Sequence, residues 1–494
     1  EATERHRSPS PALLLSILIV LAFGLRAWHL GSWGFDSDET FTLRDSLVPR
    51  LDNPRPLLYY LNHYLIQPLM PLDELGLRLL PALFGVLGIP AFYLMCRRLV
   101  GTRAALFGSL LLTFSSLHVY YSQFARYWTL VFLLTSIYPF AIYLGLRERN
   151  SKLLVLGLVV GVLAVLAHPV SVLLLGGIGV WFLLTYVRRD QVTHAWSRKG
   201  VRWGVAIVAL LAVLIAVRLV PMLHAWIYSP NSRPEGGEFL LRLPTGRGIK
   251  QISYLLSYIE ALTLPLVLAG VAGIVILWHR DRSFALLSAC VFLFPLVFLV
   301  LLSFLAPVSI FYLVPSTPVV FLGAGVFLDR LAELGRRLRP RWLLPAWGVV
   351  IILATGAPTL ISQYRDGRRY DFRGAAHWLR ENIGPGDVVY SDQFKVVVHY
   401  LPGVHVERLR DIEPLAATAH ELHAAGRGSL WVVSPSPAHA FRTGRNIGKL
   451  TGWMYDNCQL RNTLGVGRVD FRQYYLQIFR CPPGVSAEAS AKLQ

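Results

Sequence analysis

Eleven apolar runs, each near the ~20 residues an α-helix needs to cross a bilayer, dominate this 494-residue chain. They fall at about 11–30, 76–96, 103–121, 127–146, 152–167, 169–187, 201–223, 259–278, 283–305, 309–328 and 342–361. A chain with 54% hydrophobic and only 16% charged residues is too apolar for a soluble protein of this length. The expected fold is therefore a polytopic α-helical membrane protein. Arg5, His6 and Arg7 precede the first run in the manner of a signal peptide. No small-residue cleavage site follows, since Trp28-His29-Leu30-Gly31-Ser32-Trp33 is a poor one, so the run is expected to stay as an anchor.

Lys and Arg outnumber Asp and Glu by 48 to 29, a net charge of +19. Such an excess suits nucleic acid, anionic lipid or cytoplasmic loops, and the positions of the charges separate these. With the N-terminus inside, the inner loops collect Arg97, Arg98 and Arg103, then Arg147, Arg149 and Lys152, then Arg188, Arg189, Arg198, Lys199 and Arg202, then Arg280 and Arg282, then Arg330, Arg336, Arg337, Arg339 and Arg341. The short links near His168 and Pro307 on the other side have none. This positive-inside pattern accounts for the charge without nucleic acid and predicts an N-in, C-out topology.

Three outer pieces remain: loops 31–75 and 224–258, and everything after about Tyr364. Residues 1–364 are thus read as a transmembrane domain and 365–494 as an extracytoplasmic α/β domain. Within the latter, helical stretches at 373–382, 413–424 and 442–454 alternate with β-rich runs at 387–390, 429–433 and 474–479, and Gly384-Pro385-Gly386-Asp387 signals a turn. Cys458 and Cys481 both lie here, where a bridge between them is as expected as its absence. No Cys or Cys/His spacing suggests a metal.

The first outer loop places Asp36, Asp38 and Glu39 within four residues beside the membrane. Clustered carboxylates there raise each other's proton affinity and suit a general base, or they cap a helix starting near Glu39. Arg126, after Tyr120, Tyr121, Ser122 and Gln123, is an isolated outer cation that suits a phosphate or, equally, interfacial anchoring. His168 sits at an outer helix junction, where a lone histidine is usually structural. Segment 57–70, with His63, is too short to span and reads as an interfacial helix with Tyr59, Tyr60 and Tyr64 at headgroup depth. Loop 224–258, with Arg233, Arg242, Arg247 and Lys250 beside Glu235 and Glu238, reads as a lid or a solvated connector.

Taken in order, the first helix, the Phe35-Asp36-Ser37-Asp38-Glu39-Thr40 loop, the PLLYYL segment, the run from Leu77 to Gly101 and YYSQFARYWTLVFLL resemble the C-type (GT-C) glycosyltransferases. Within them the chain is most similar to bacterial relatives of protein O-mannosyltransferases and lipid A aminoarabinose transferases, over roughly residues 11–190. The resemblance implies inverting transfer of one sugar from a polyprenyl monophosphate to an acceptor hydroxyl on a glycolipid, polysaccharide or protein, in a bacterial inner membrane. It implies Asp38 as base, with Glu39 beside it, and Arg126 as lipid-phosphate ligand; beside these, Asp36 is taken as the nearest further carboxylate and Arg55, Tyr121 and His168 as further substrate contacts. Phosphate is already a fair leaving group, so this chemistry requires no cofactor, metal or general acid. Two departures argue against either named activity: no acidic residue shortly follows Arg126, and Asn53-Pro54-Arg55-Pro56-Leu57 replaces a Lys-Pro-Pro-Leu stretch.

A transporter or lipid-carrier flippase is the main alternative, but no internal repeat is visible and Arg26 and Arg218 lie near helix ends, where they can snorkel. An inactive assembly factor and an oligosaccharide transferase with a diphosphate donor rank lower.

Overall fold

The structure, a computed structural model, describes residues 10–187, 258–302, 309–335, 342–409, 412–426, 428–435, 447–465 and 475–481. A helix meets each apolar run except 201–223, which lies outside the described residues. Among the described residues five helices are long and apolar enough to cross a membrane, or six if a bent pair counts as one span. The shorter apolar helices Pro11–Ala27, Ser151–Ala167, Pro169–Thr185 and Leu264–Arg280 stand at four other expected spans.

The helices that build the site are α1 (Pro11–Ala27), α2 (Ser37–Leu47), α3 (Pro56–Leu61), α4 (Glu74–Val100), α5 (Thr102–Thr113), α6 (Ser116–Ser122), α7 (Trp128–Thr135), α8 (Tyr138–Arg147) and α9 (Ser151–Ala167). Then come α10 (Val172–Phe182), α11 (Leu264–Arg280), α12 (Arg282–Leu302), α13 (Thr317–Leu334) and α14 (Leu343–Asp366). α4 packs against α1, α5 and α7, and α13 against both α5 and α11. At the α11–α13 crossing a Cβ on Gly273 would fall 1.7 Å from the Gly323 carbonyl oxygen, so only glycine permits that approach.

One expected span, 103–121, is broken: α5 and α6 meet at 60° across Phe114 and Ser115. Such a break leaves carbonyls at the end of α5 without intrahelical partners, a steep cost in an apolar setting. Arg26 supplies them. Fully buried, its guanidinium donates to the carbonyls of Thr113 (3.2 Å) and Leu112 (3.4 Å) and contacts His118 Nδ1 at 2.9 Å. The expectation that Arg26 snorkels outward is therefore corrected, because the opened α5 end offers it acceptors inside. Arg218 lies outside the described residues.

The C-terminal part contains α15 (Phe372–Asn382), α16 (Phe394–Tyr400), α17 (Ile412–Ala424) and α18 (Ile447–Asn457). Its five-stranded sheet comprises β1 (Val388–Ser391), β2 (His405–Arg408), β3 (Leu430–Pro435), β4 (Gln459–Leu464) and β5 (Leu476–Cys481), in the order β2-β1-β3-β5-β4. β1 runs parallel to β2 and β3, while β5 is antiparallel to β3 and β4. The turn before β1 forms as expected, with Gly386 at φ +87°. The Asp387 carboxylate accepts from the Ser429 N–H (2.5 Å) and the Trp431 indole (2.7 Å), which fixes this turn to β3. A Cys458–Cys481 disulfide joins the end of α18 to the end of β5. β2, β4 and α16 were not anticipated: each is short, and the exposure pattern of β4 carries little apolar alternation.

Candidate active site

Helix α2 begins with a reciprocal cap. The Asp36 carboxylate accepts from the Asp38 N–H at 3.2 Å, while Glu39 Oε2 accepts from the Asp36 N–H at 2.9 Å, a capping box. The capping alternative read from sequence is thus realised by Asp36. Consecutive helical residues point ~100° apart, so Asp38 and Glu39 leave the helix on different faces. Their surroundings differ accordingly.

Glu39 is fully buried. Arg78 from α4 grips it with two parallel bonds, Nε to Oε1 at 2.8 Å and Nη2 to Oε2 at 2.7 Å. Arg369 Nη1 reaches Oε2 at 2.9 Å, and the Ala125 N–H donates to Oε1 at 2.7 Å. Burial alone would push its carboxyl upward, but Arg78, Arg369 and the Ala125 N–H outweigh it and hold it down at about 2. Both oxygens are committed, so Glu39 is a poor proton acceptor. What it does is hold four chain segments in register: the first loop, α4, the residue before Arg126 and the segment after α14. Arg369 gets there because α14 ends at Gly367 in the left-handed region (φ +67°), with Trp33 packed where a Cβ would lie (2.6 Å). It also donates to the carbonyls of Gly367 (3.1 Å) and Gln123 (3.1 Å).

Asp38 faces outward, its side chain 58% exposed, with Arg126 Nη2 3.7 Å from Oδ2. Arg126 is held from below by the Asp38 carbonyl (3.2 Å) and Thr42 Oγ1 (3.4 Å), and stacks its guanidinium 5.0 Å from the Tyr127 ring centre. The Tyr127 hydroxyl accepts from Arg126 Nη2 (3.4 Å) and from Arg55 Nη1 (2.8 Å), bringing both cations to one phenol. Arg55 is delivered by the start of α3, where its N–H donates to Asn53 Oδ1 at 3.0 Å and Pro56 occupies the first turn. The His168 ring lies 4.8 Å from Tyr127, 4.9 Å from Trp128 and 5.5 Å from Tyr312. Its Nδ1 accepts from the Val170 N–H at 3.1 Å, which puts the ring proton on Nε2. Burial, then Arg55 and Arg126, lower the His168 pKa well below the ordinary range, so it stays a neutral Nε2–H donor. Among the described residues Arg55 Nε, Arg126 Nε and His168 Nε2 are buried without a hydrogen-bond partner. Three such donors in one place are an unmet demand for an acceptor.

Half-buried Asp36 lies between these groups. Burial, followed by the charges of Asp38 and Glu39, pushes its carboxyl up to about 6 against the opposing pull of Arg369. Tyr121 is buried, its ring 6.0 Å from Trp128 and 5.2 Å from Phe311, and its hydroxyl has no partner among the described residues. With His118, Thr129 and Thr317 it lines a small internal cavity.

All seven residues singled out from the sequence therefore gather around α2 and the Arg126 turn, in unequal positions. Tyr59 faces the interior of the fold. It is buried, with Arg126, Tyr127 and Arg55 as its charged and polar neighbours, while Tyr64 alone of that group is strongly exposed. Arg78 and Arg369 were missed. Arg78 carried a readable signal, an Arg inside an apolar run that needed an acid, whereas Arg369 lies 330 residues from its partner with no motif around it. Loop 224–258 lies almost wholly outside the described residues. Among the described residues no group of three His, Cys, Asp or Glu side chains is placed to hold a metal ion.

The chain is similar to known proteins over part of its sequence and over most of its fold. The family model described as dolichyl-phosphate-mannose-protein mannosyltransferase matches residues 53–218, the stretch that carries Arg55, Arg126 and His168. ArnT from Cupriavidus metallidurans bound to undecaprenyl phosphate is similar at 16% identity with a TM-score of 0.56, covering 96% of this chain and 98% of that one. Its apo form scores 0.53 over the same shares. The Archaeoglobus fulgidus oligosaccharyltransferase in complex with zinc and sulfate scores 0.53 at 16% identity, covering 85% of this chain and 68% of that one. No match is found among curated protein sequences. The chain shares its fold with these solved structures, and the family model covers about a third of its length.

Proposed function

We propose that this protein moves a single sugar from a polyprenyl monophosphate to an acceptor hydroxyl, with inversion, on the non-cytoplasmic face of a bacterial inner membrane. The observation that carries this reading is the pairing of an exposed carboxylate, Asp38, with a buried cation, Arg126, 3.7 Å away. The sequence match to a lipid-phosphate-sugar family and the likeness to an ArnT bound to undecaprenyl phosphate support it.

In this reading the donor phosphate lies on Arg126 and Arg55, with the His168 Nε2–H as a neutral donor to its oxygens. The acceptor oxygen attacks the anomeric carbon, and the bond from that carbon to the phosphate oxygen breaks. The phosphate leaves with the bonding pair, and Asp38 takes the acceptor proton. Arg126 stabilises the charge that develops on the leaving oxygen, and it is already in place before the reaction begins. Asp36 caps α2 and Glu39 holds its register, so both position Asp38 and neither is required to accept the proton. The region from 365 onward is proposed as an extracytoplasmic α/β domain on the acceptor side.

The test is sugar release from radiolabelled polyprenyl-phosphate sugars by purified enzyme supplied with membrane extract. Wild type should consume one donor, while Asp38→Asn stays folded and inert and Arg126→Ala loses donor affinity. Equal activity in Asp38→Asn removes that base. Donor binding without turnover in wild type points to carrier translocation instead.

A further inference from the structure

Helix α16 of the C-terminal part packs on α2, the helix that carries Asp38. At that contact Lys395 places Nζ 4.1 Å from the centre of the Phe41 ring. Phe41 follows Asp38 by three residues, so the two side chains share one face of α2, a single turn apart. Arg44 stacks on the same ring, 5.4 Å from its centre. On the far side Lys395 and Arg408 flank Phe394 at 6.0 and 5.9 Å. Three cations and two aromatic rings thus alternate along an arc that begins one turn from Asp38.

Asp392 lies near enough to Arg408 to feel its charge, as Asp45 does to Lys395. Arg44 is taken up by Asp45, with bonds of 2.8 and 2.6 Å to one carboxylate oxygen. Glu407 faces the other way, held by Tyr390 and His405. Among the described residues no carboxylate pairs with Lys395. Burial, then Arg44 and Arg408, lower its pKa, as expected for a cation pressed against its like.

The geometry points to Lys395, with Phe41 and Phe394, as an acceptor-binding site for a sugar that carries an oxyanion, a phosphate or a carboxylate, and presents its hydroxyl to Asp38. The rings offer the apolar faces on which a sugar packs, and Lys395 supplies the missing counter-charge. An anion placed there would relieve the crowding among Lys395, Arg44 and Arg408. This assignment rests on the transferase reading, because it takes Asp38 as the group that meets the acceptor. It also gives the C-terminal part a role in choosing the acceptor.

Three probes separate the chemistry: glucose 6-phosphate, glucuronate and glucose, each titrated by saturation-transfer NMR against the full-length protein in detergent. Arg126→Ala serves as background, so that binding at the donor-phosphate cation is removed. Glucose 6-phosphate, glucuronate or both should bind in that background, and adding Lys395→Gln should weaken binding about tenfold. Lys395→Arg should restore it. Binding of the phosphate sugar alone identifies a phosphorylated acceptor, and of glucuronate alone a uronic-acid acceptor. Equal affinity for glucose and the charged sugars, no binding of either charged sugar, or indifference to Lys395→Gln overturns the assignment. Release of sugar from the lipid donor by wild type is scored separately. Its absence sinks the transferase reading, whereas its presence with a negative NMR result sinks only the acceptor site.

Discussion

The two faces of α2 put neighbouring carboxylates to opposite uses. On the open face Asp38 keeps its side chain in solvent with one cation at 3.7 Å, whereas on the closed face Glu39 is surrounded by two guanidinium groups and two backbone N–H donors. Residue type and position in sequence are nearly the same; the environment assigns the work. A carboxylate that must exchange a proton needs room and an uncommitted oxygen, and one that must hold four segments needs neither.

Substitution should separate the two faces. Asp38→Asn should reduce sugar transfer by about 10²- to 10⁴-fold, the range of a lost general base, with a melting temperature like that of wild type. Glu39→Gln should act first on stability. It leaves Arg78 and Arg369 buried without a counter-charge, a loss of about 3–5 kcal/mol that thermal unfolding in detergent would register. Arg369→Gln should cost less, about 1–3 kcal/mol, because Arg78 keeps its two-point grip. If Glu39→Gln melts like wild type and Asp38→Asn does not, the roles of the two faces are exchanged.

Much of this site could be read from the sequence because most of its residues lie close together in the chain. Asp36, Asp38, Glu39 and Arg55 lie in one loop, and Arg126 stands out as a cation on the expected outer side, so charge against an apolar background marks them. The helices were legible for the same reason, as continuous apolar runs. What could not be read is set by packing between distant segments. Nothing local says that Glu39 will meet Arg78 and Arg369, that Tyr59 will turn inward, or that Arg26 will close the broken end of α5. The pairing of Cys458 with Cys481 was likewise open, since two cysteines in one region meet only if the strands between them do.

The smallest effect, and the one that sharpens the comparison most, lies in pH. Glu39 titrates at about 2 in the fold against an ordinary 4.5, so its contribution is complete above pH 4.5 and disappears as pH falls toward 2. Asp36 runs the other way. Its folded value of about 6 exceeds the ordinary 3.8, so the fold favours the protonated form. That contribution is complete below pH 3.8 and is lost as pH rises through 6. Because Asp36 is half-buried and solvent screens it, the loss amounts to about 1–2 kcal/mol, smaller than anything expected at Glu39. Wild type should therefore lose a little thermal stability between about pH 5 and pH 6, where the Glu39 carboxyl is already mostly ionised in both states and contributes little slope. Asp36→Asn keeps a hydrogen-bond acceptor at the cap but cannot ionise, so its melting temperature should lack that decline. A slope that survives in Asp36→Asn would mean that another group titrates there, and that the crowding of three carboxylates at the start of α2 does not tune the acid beside Asp38.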